Sequence, residues 1–404
     1  LPAGGRPSPS WRIAPPPPIL TPMFEYQQHR HAFAKCASGL ESLLADELNA
    51  LGAERVRAVR LGVHAVLGPE ALYRAVHRSR LASHILAPLL SFDCHSDRYL
   101  YATAMKLPWE AFMTVDSTFV IDAHVSGSHV SHSRYAAQKL KDALCDRFRE
   151  QTGKRPSVDK DDPDVRINLV ILQNRAVISL DAGGGSLHRR GYRTESGAAP
   201  VQETLAAAVA LTADWQADAP LLDPMCGTGT LLAEALLRAG GVASGWKRDK
   251  YKAPMRCLPD FDEGVWKKVL AEDEDLRRDV PAGLVRGGDT SSDALRASRT
   301  NLRLVPGGSR VELSRADVRE QPGVQGGVVL VNPPYGERLE DKEQVTALYR
   351  DLGDWLKREC AGSRAYILCG HEDLQAALGL RSRVKLRLRN GPIPAPLIEA
   401  EIRP

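Results

Sequence analysis

A chain of 404 residues, 43% hydrophobic and 26% charged, has the composition of a soluble globular protein with room for two or three domains. No stretch approaches the ~20 apolar residues needed to span a bilayer, which argues against a membrane protein. A formal net charge of +4 does not by itself call for a polyanionic partner, and seven cysteines without Cys-x-x-Cys or His-x-x-x-His spacing argue against structural zinc and for reduced thiols in a cytosolic setting.

Leu1 to about Thr21 is rich in Pro, Gly and Ser, with Pro15 to Pro18 consecutive, and lacks the apolar run of a signal peptide. It is expected to be a disordered tail over residues 1–22, with Met23 a candidate true start. From Phe33 the pattern becomes short strand, helix, strand. Gly39–Leu48 spaces its leucines along one helical face, and Pro69–Arg80 and Tyr135–Gln151 read as further helices. In the last of these Leu140, Leu144 and Phe148 face a core, while Lys139, Lys141, Arg147 and Arg149 spread around the exposed side. Val165, Ile167, Leu169 and Ile171 alternate as a strand; Gln173-Asn174-Arg175 turns it, and Ala176, Ile178 and Leu180 return as a hairpin.

Gly183-Gly184-Gly185 marks a boundary, and Ser186–Ala199 follows as a basic connector. Its Arg189, Arg190, Tyr192 and Arg193 suit a surface for phosphates and bases, or equally an exposed hinge with a packed Tyr. From Glu203 onward strands and helices alternate as in a doubly wound sheet. Residues 244–283, rich in Trp, Lys and Asp, interrupt that alternation and read as an insertion. Glu343–Cys360 is expected as a helix, Ala365–Leu368 as a buried strand and His371–Leu378 as a short helix. Val384–Arg389 and Leu397–Ile402 bracket Asn390-Gly391-Pro392 as a terminal antiparallel pair.

Two motifs in this half carry chemistry. Leu221-Leu222-Asp223-Pro224-Met225-Cys226-Gly227-Thr228-Gly229-Thr230 is a strand, a Gly-x-Gly turn and a helix start. Such a turn brings backbone close to a ligand and offers it free N–H groups. The third glycine of the dinucleotide fingerprint and any Gly-Lys-Ser/Thr are missing, so neither nicotinamide nor a P-loop nucleotide is favoured. Cys226 sits within the turn, where a small side chain suits tight packing. Downstream, Val328-Val329-Leu330-Val331 is a buried strand stopped by Asn332-Pro333-Pro334-Tyr335, because neither proline can donate a ladder hydrogen bond. An amide oxygen, a free carbonyl and an aromatic face then share one small volume, suited to a flat heterocycle and its exocyclic amine.

The pairing of Asp-Pro-x-x-Gly-x-Gly with a later Asn-Pro-Pro-Tyr resembles the amino-group class of S-adenosylmethionine-dependent methyltransferases. Leu284–Asp289 then reads as the second strand, ending in a carboxylate for the cofactor ribose. Ala316-Asp317-Val318 places a carboxylate for the adenine amine. With Tyr135–Lys154, Arg155–Asp159, Asp164–Arg166, Leu187–Arg193, Ala199–Ala206 and Asn332–Leu339 included, the chain is similar to the bacterial THUMP-domain large-subunit (23S) rRNA guanine-N2-methyltransferases. The likeness runs from about Phe33 to the C-terminus.

The resemblance implies an α/β fold, in which an α+β ferredoxin-like and THUMP RNA-binding unit precedes a Rossmann-like class I methyltransferase domain with an antiparallel C-terminal hairpin. On that reading residues 23–66 are the ferredoxin-like part, 67–185 the THUMP domain, 186–199 a linker and 200–404 the catalytic domain. It assigns S-adenosylmethionine to Asp223, Cys226, Gly227, Gly229, Asp289 and Asp317, and the target base to Asn332, Pro333 and Tyr335. RNA contacts fall to Lys139, Lys154, Arg155, Arg189, Arg190 and Arg193, and no metal is required. The partner implied is 23S rRNA or a precursor large-subunit particle in the cytoplasm.

Ser291 stands where relatives often carry a second Asp, and Gln202 where Lys is common. Some relatives continue into a second methyltransferase domain; this chain does not, so a single methylation is expected. Gly336-Glu337-Arg338-Leu339 moves the expectation to guanine N2. The competing readings are a tRNA guanine, DNA adenine or protein glutamine acceptor, or a ribosome-assembly or RNA-binding factor with a vestigial methyltransferase fold.

Overall fold

The structure is a computed structural model that describes residues 24–195, 201–248, 253–335, 342–391 and 393–404. The expected tail over 1–22, residues 196–199 of the connector, Gly336-Glu337-Arg338-Leu339 and Pro392 lie outside the described residues. Among the described residues no helix is long and apolar enough to cross a membrane.

After α1 (Glu25–His29), the chain runs β1 (His31–Lys35), α2 (Glu41–Ala50), β2 (Glu54–Val59), β3 (Gly62–Val66), α3 (Pro69–Arg78) and β4 (His84–Asp93). Strand order β2-β3-β1-β4, all antiparallel, makes this βαββαβ unit ferredoxin-like. A boundary at residue 66 would cut the unit before α3 and β4, which complete it. The sheet then continues without a break, since β4 also pairs with β8. The second unit contains α4 (Asp97–Ala104), β5 (Thr118–Ser126), α5 (Ser133–Thr152), β6 (Ser157–Val158), β7 (Val165–Leu172) and β8 (Arg175–Asp181). The expected β7–β8 hairpin forms around Gln173 and Asn174, whose φ values of 49° and 63° are those of a tight turn matched to strand twist. Val165, Ile167, Leu169 and Ile171 face inward from β7 and share one core with Leu140, Leu144 and Phe148 of α5, as their spacing predicts.

The second half contains α6 (Glu203–Ala213), β9 (Leu221–Asp223), α7 (Thr230–Ala239), α8 (Glu263–Leu276), β10 (Val285–Asp289), α9 (Ser292–Leu302), β11 (Glu312–Arg315) and β12 (Val328–Val331). These are followed by α10 (Lys342–Glu359), β13 (Arg364–Leu368), α11 (Glu372–Ala377), β14 (Ser382–Leu386), β15 (Arg389–Asn390), β16 (Ile393–Pro394) and β17 (Leu397–Glu401). Seven strands form one sheet in the order β11-β10-β9-β12-β13-β17-β14, parallel except for β17. Alternate residues of β12 face opposite cores: Val328 and Leu330 join the α6–α7 side, Val329 and Val331 the α10 side. Strand order reverses between β9 and β12, which opens a crevice at the carboxyl ends of the parallel strands.

The insertion at 244–283 has a structural task. Its α8 docks on α3 of the ferredoxin-like unit, where Asp273 receives His77 Nε2 at 2.6 Å and Arg78 Nε at 2.7 Å, and Glu272 receives Arg74 at 2.6 Å. Tyr73 packs against Phe261 and Trp266, and Tyr26 and Arg30 both reach Asp260. The two halves therefore share a packed interface.

Candidate active site

β9 and β12 are neighbours, with Val328 opposite Leu221 and Val329 opposite Leu222. The Asp223 turn and the Asn332 motif thus leave the sheet side by side into the same crevice. This adjacency is invisible in the sequence, where the two motifs lie far apart.

Asp223 is 1% exposed, and its Oδ1 accepts from the Met225 N–H at 3.1 Å. Burial pushes its pKa up to about 8, against that hydrogen bond. The turn closes through Cys226 N–H to Gly288 O and Gly229 N–H to Cys226 O, both 2.8 Å. Gly227 and Gly229 have φ of 53° and 80°, the left-handed region that favours glycine. Their surroundings differ. A Cβ on Gly229 would meet Ser298 Oγ at 2.5 Å, whereas one on Gly227 would meet nothing within 4 Å. Gly229 therefore serves packing against α9, and Gly227 presents open backbone, the feature a close-lying cofactor needs. Cys226 is buried beside Ser298, and burial raises its thiol pKa, so it behaves as a packing residue.

Asp289, ending β10, holds the turn directly: Oδ2 accepts from Gly227 N–H at 3.0 Å and Oδ1 from Ser291 N–H at 2.8 Å. Each oxygen keeps a further lone pair for a ligand hydroxyl. Ser291, the departure from the usual acid, caps α9 by accepting from Ala294 N–H, a task Ser and Asp do equally well. Gln202 is the exposed N-cap residue of α6. Asp317 follows β11, and Arg319 grips it through Nε at 2.8 Å and Nη2 at 2.9 Å; these bonds hold its pKa below the usual value.

At the end of β12, Pro333 is buried, while Asn332 and Tyr335 are half-buried. The Tyr335 hydroxyl donates to Asn332 Oδ1, and its ring lies on Gly370, where a Cβ would come within 2.9 Å of it. Among the described residues no group of His, Cys, Asp and Glu is placed to hold a metal ion.

Two side chains that the motifs did not announce brace the site. Asn301 on α9, 1% exposed, accepts from the Thr194 and Glu195 N–H groups and donates to Glu195 O and Thr228 O. It ties the connector to the glycine turn with all four of its hydrogen bonds. Gln321 is buried and donates to Pro224 O at 2.9 Å, bridging the segments after β9 and β11. Asn301 shares the buried face of α9 with Leu295, Ser298 and Leu302, and its place among those leucines was the available signal; Gln321 gave none.

The expected RNA contacts divide. Lys154, Arg155 and Arg189 are exposed, and Lys139 lies over the Tyr135 ring, 5.5 Å from its centroid. Arg190 and Arg193 correct the expectation of a basic surface. Arg190 is 1% exposed and donates to Leu187 O and Arg80 O, with Glu234 Oε1 3.5 Å from Nε. Arg193 donates to Val201 O and Thr230 Oγ1 and lies 3.6 Å from Glu203. Tyr192, also buried, donates to Glu234 at 3.0 Å. The connector threads between the two halves, so Arg190 and Arg193 satisfy carbonyls and buried acids while Arg189 meets solvent.

Comparison with known proteins agrees with this geometry. Residues 190–397 match the family described as the RMKL-like methyltransferase domain. The chain belongs to that family. Residues 95–181 match the THUMP domain and 31–86 the RlmL ferredoxin-like domain, which places β4 at the junction of the two. The fold is accordingly a class I methyltransferase domain behind a ferredoxin-like and THUMP unit.

The chain is 39% identical over 384 residues to a ribosomal RNA large subunit methyltransferase K/L of Syntrophotalea carbinolica, covering 92% of this chain and 53% of that protein. It is 39% identical over 364 residues to the one of Aliivibrio salmonicida, covering 89% and 51%. It spans about half the length of the curated relatives it matches. Among solved structures it is similar to SMU.472, described as a methyltransferase and complexed with SAH, with TM-score 0.80, 25% identity and 93% and 98% of the two chains covered. A predicted N6-adenine-specific DNA methylase from Listeria monocytogenes gives TM-score 0.78 and 28% identity, covering 92% and 96%.

Proposed function

We propose that the protein is an S-adenosylmethionine-dependent methyltransferase acting on the exocyclic N2 amine of a guanosine in 23S rRNA. One observation carries the reading: the Asp223–Gly229 turn and Asn332-Pro333-Pro334-Tyr335 emerge from adjacent parallel strands at the switch point of the sheet. The relatives' rRNA names and the THUMP domain support RNA as the setting.

Bound at the turn, S-adenosylmethionine supplies a methyl group on a sulfonium. Gly227 would let the backbone approach it, Asp289 would accept from its ribose hydroxyls, and Asp317 would accept from the adenine amine in place of Arg319. The guanine amine is a poor nucleophile because its lone pair is delocalised into the ring. Asn332 Oδ1 and the Pro333 carbonyl accept its two N–H bonds, which draws the nitrogen toward a tetrahedral shape and aims its lone pair. Asn332 Oδ1 already accepts from Tyr335 and keeps a second lone pair for the substrate. The same oxygens stabilise the positive charge that grows on nitrogen, as an oxyanion hole does with the opposite sign. The methylated nitrogen then sheds its proton without a strong base. Stacking on Tyr335 contributes roughly 1–3 kcal/mol to holding a flipped base.

Asn332→Ala should abolish transfer of radiolabelled methyl groups while S-adenosylmethionine binding, measured by calorimetry, stays near wild type. Turnover at the wild-type rate would refute the mechanism. Offering 23S rRNA, precursor particles, tRNA and duplex DNA in parallel, and digesting the product to nucleosides, tests the acceptor. N2-methylguanosine in 23S rRNA is expected; N6-methyladenosine, or label in tRNA or DNA alone, would overturn the assignment.

A further inference from the structure

The outer edge of the catalytic sheet carries a run of cations that neither the cofactor turn nor the base-binding motif uses. Arg381, Arg383, Lys385, Arg387 and Arg389 alternate through nine residues that contain no acid. Arg381, Arg383, Lys385 and Arg387 are exposed. Glu399 on β17 offsets one charge, with its Oε2 2.5 Å from Arg383 Nε and 3.5 Å from Lys385 Nζ. Glu401 also acts on Arg383, so the four exposed cations Arg381, Arg383, Lys385 and Arg387 less these two carboxylates leave a local excess of two positive charges.

The position of the run matters as much as its charge. β13 and β14 are both antiparallel to β17, so β14 runs parallel to the central strands and leaves the sheet on the crevice side. Beyond Leu386 the chain turns through the β15–β16 hairpin, anchored by buried Leu388, whose carbonyl accepts from Ala395 N–H at 2.9 Å. In that hairpin the Asn390 side chain interacts with the Tyr335 hydroxyl. At the same end the ridge abuts the ferredoxin-like unit, since a Cβ on Gly39 would lie 2.1 Å from Arg387 O. The cations thus run from the crevice rim, where Arg387 lies beside the ferredoxin-like unit, along the sheet edge to Arg381 at the far end of β14. Edge strands often carry a lysine that blocks unwanted pairing. Four exposed charges of one sign exceed that need and repel one another, a cost that an opposing polyanion removes. Of the run, Arg383 and Lys385 lie within β14, whose register with β17 shifts between Val384 and Leu386, so both turn toward the exposed edge.

We propose that the Arg381–Arg387 ridge is a docking surface for the RNA strand flanking the target nucleotide, holding its phosphates without reading its bases. This rests on the RNA reading above. The test compares the full chain with Arg381→Gln/Arg387→Gln and Arg381→Lys/Arg387→Lys double variants. Binding of a fluorescein-labelled single-stranded RNA is followed by anisotropy across a salt series, alongside methyl-transfer kinetics.

Losing two phosphate contacts should lower the slope of log K against log salt by about 1.4. The KM for RNA should rise roughly tenfold in the Gln variant, while kcat and S-adenosylmethionine affinity hold and the Lys variant behaves as wild type. An unchanged slope and RNA KM in the Gln variant, or equal loss in the Lys variant, would overturn the ridge while leaving the RNA reading standing. A wild-type protein that binds S-adenosylmethionine but no RNA at any salt would overturn both.

Discussion

Gly227 and Gly229 stand two residues apart with similar backbone angles, yet alanine should do different things at each. At either position the left-handed conformation costs a side chain roughly 1–2 kcal/mol. For Gly227→Ala that is the whole cost to the fold, because the added methyl meets nothing within 4 Å. Gly229→Ala adds a contact 2.5 Å from Ser298 Oγ and 3.3 Å from Leu302, inside a packed core. Such overpacking adds about 1–3 kcal/mol, for a total of roughly 2–5 kcal/mol. With each kcal/mol worth about 2–4 °C for a domain of this size, Gly227→Ala should melt a few degrees low and Gly229→Ala clearly lower.

Affinity for S-adenosylmethionine should run the other way in relation to stability. Gly227→Ala, folded and only slightly destabilised, should lose at least tenfold in a calorimetric titration, because on the proposed reading its methyl would stand against the bound cofactor. A second cycle isolates the packing component. Ser298→Ala should recover much of the Gly229→Ala loss by removing the crowded oxygen, a coupling expected only between touching residues. Wild-type affinity in Gly227→Ala, or identical melting of the two glycine variants, would refute this division of labour.

Other consequences follow from the same geometry. Asp289→Ala removes the acceptor for the Gly227 and Ser291 N–H groups and the proposed ribose contact; charge-assisted bonds of about 1.5–3 kcal/mol translate into ten- to hundredfold weaker cofactor binding, and unchanged calorimetry would remove its role. Asn301→Leu strands two N–H groups and two carbonyls at about 1–3 kcal/mol for each that stays unsatisfied. Hydrogen exchange at Thr194 and Glu195 should therefore accelerate, and unaltered protection there would contradict the tie between connector and turn. Asp223 keeps its proton up to about pH 8 in the folded chain, against 3.8 for an ordinary carboxyl. Its contribution to stability is thus fully present below about pH 4 and is lost as pH rises through 8. Asp223→Asn should flatten the melting temperature over that window in the cofactor-free protein, and a profile matching wild type would show that another group governs it.

The sequence by itself determined the local elements. Alternation in β7, the helical spacing of α5 and the glycines of the Asp223 turn reflect side-chain direction and backbone sterics, which act over a few residues and can be read in order. It also announced Asp289 and Asn332, because strand ends and prolines are local events. Only the tertiary structure decided which way the connector faces. Arg190, Tyr192 and Arg193 look like an RNA surface in sequence, and burial between the two halves makes them internal braces on Glu234, Thr230 and nearby carbonyls. Likewise the insertion at 244–283 has no local signature of docking, and Asn301 and Gln321 find their partners more than seventy residues away. A residue's type limits which bonds it can make, but whether water or protein makes them depends on what the rest of the chain brings alongside.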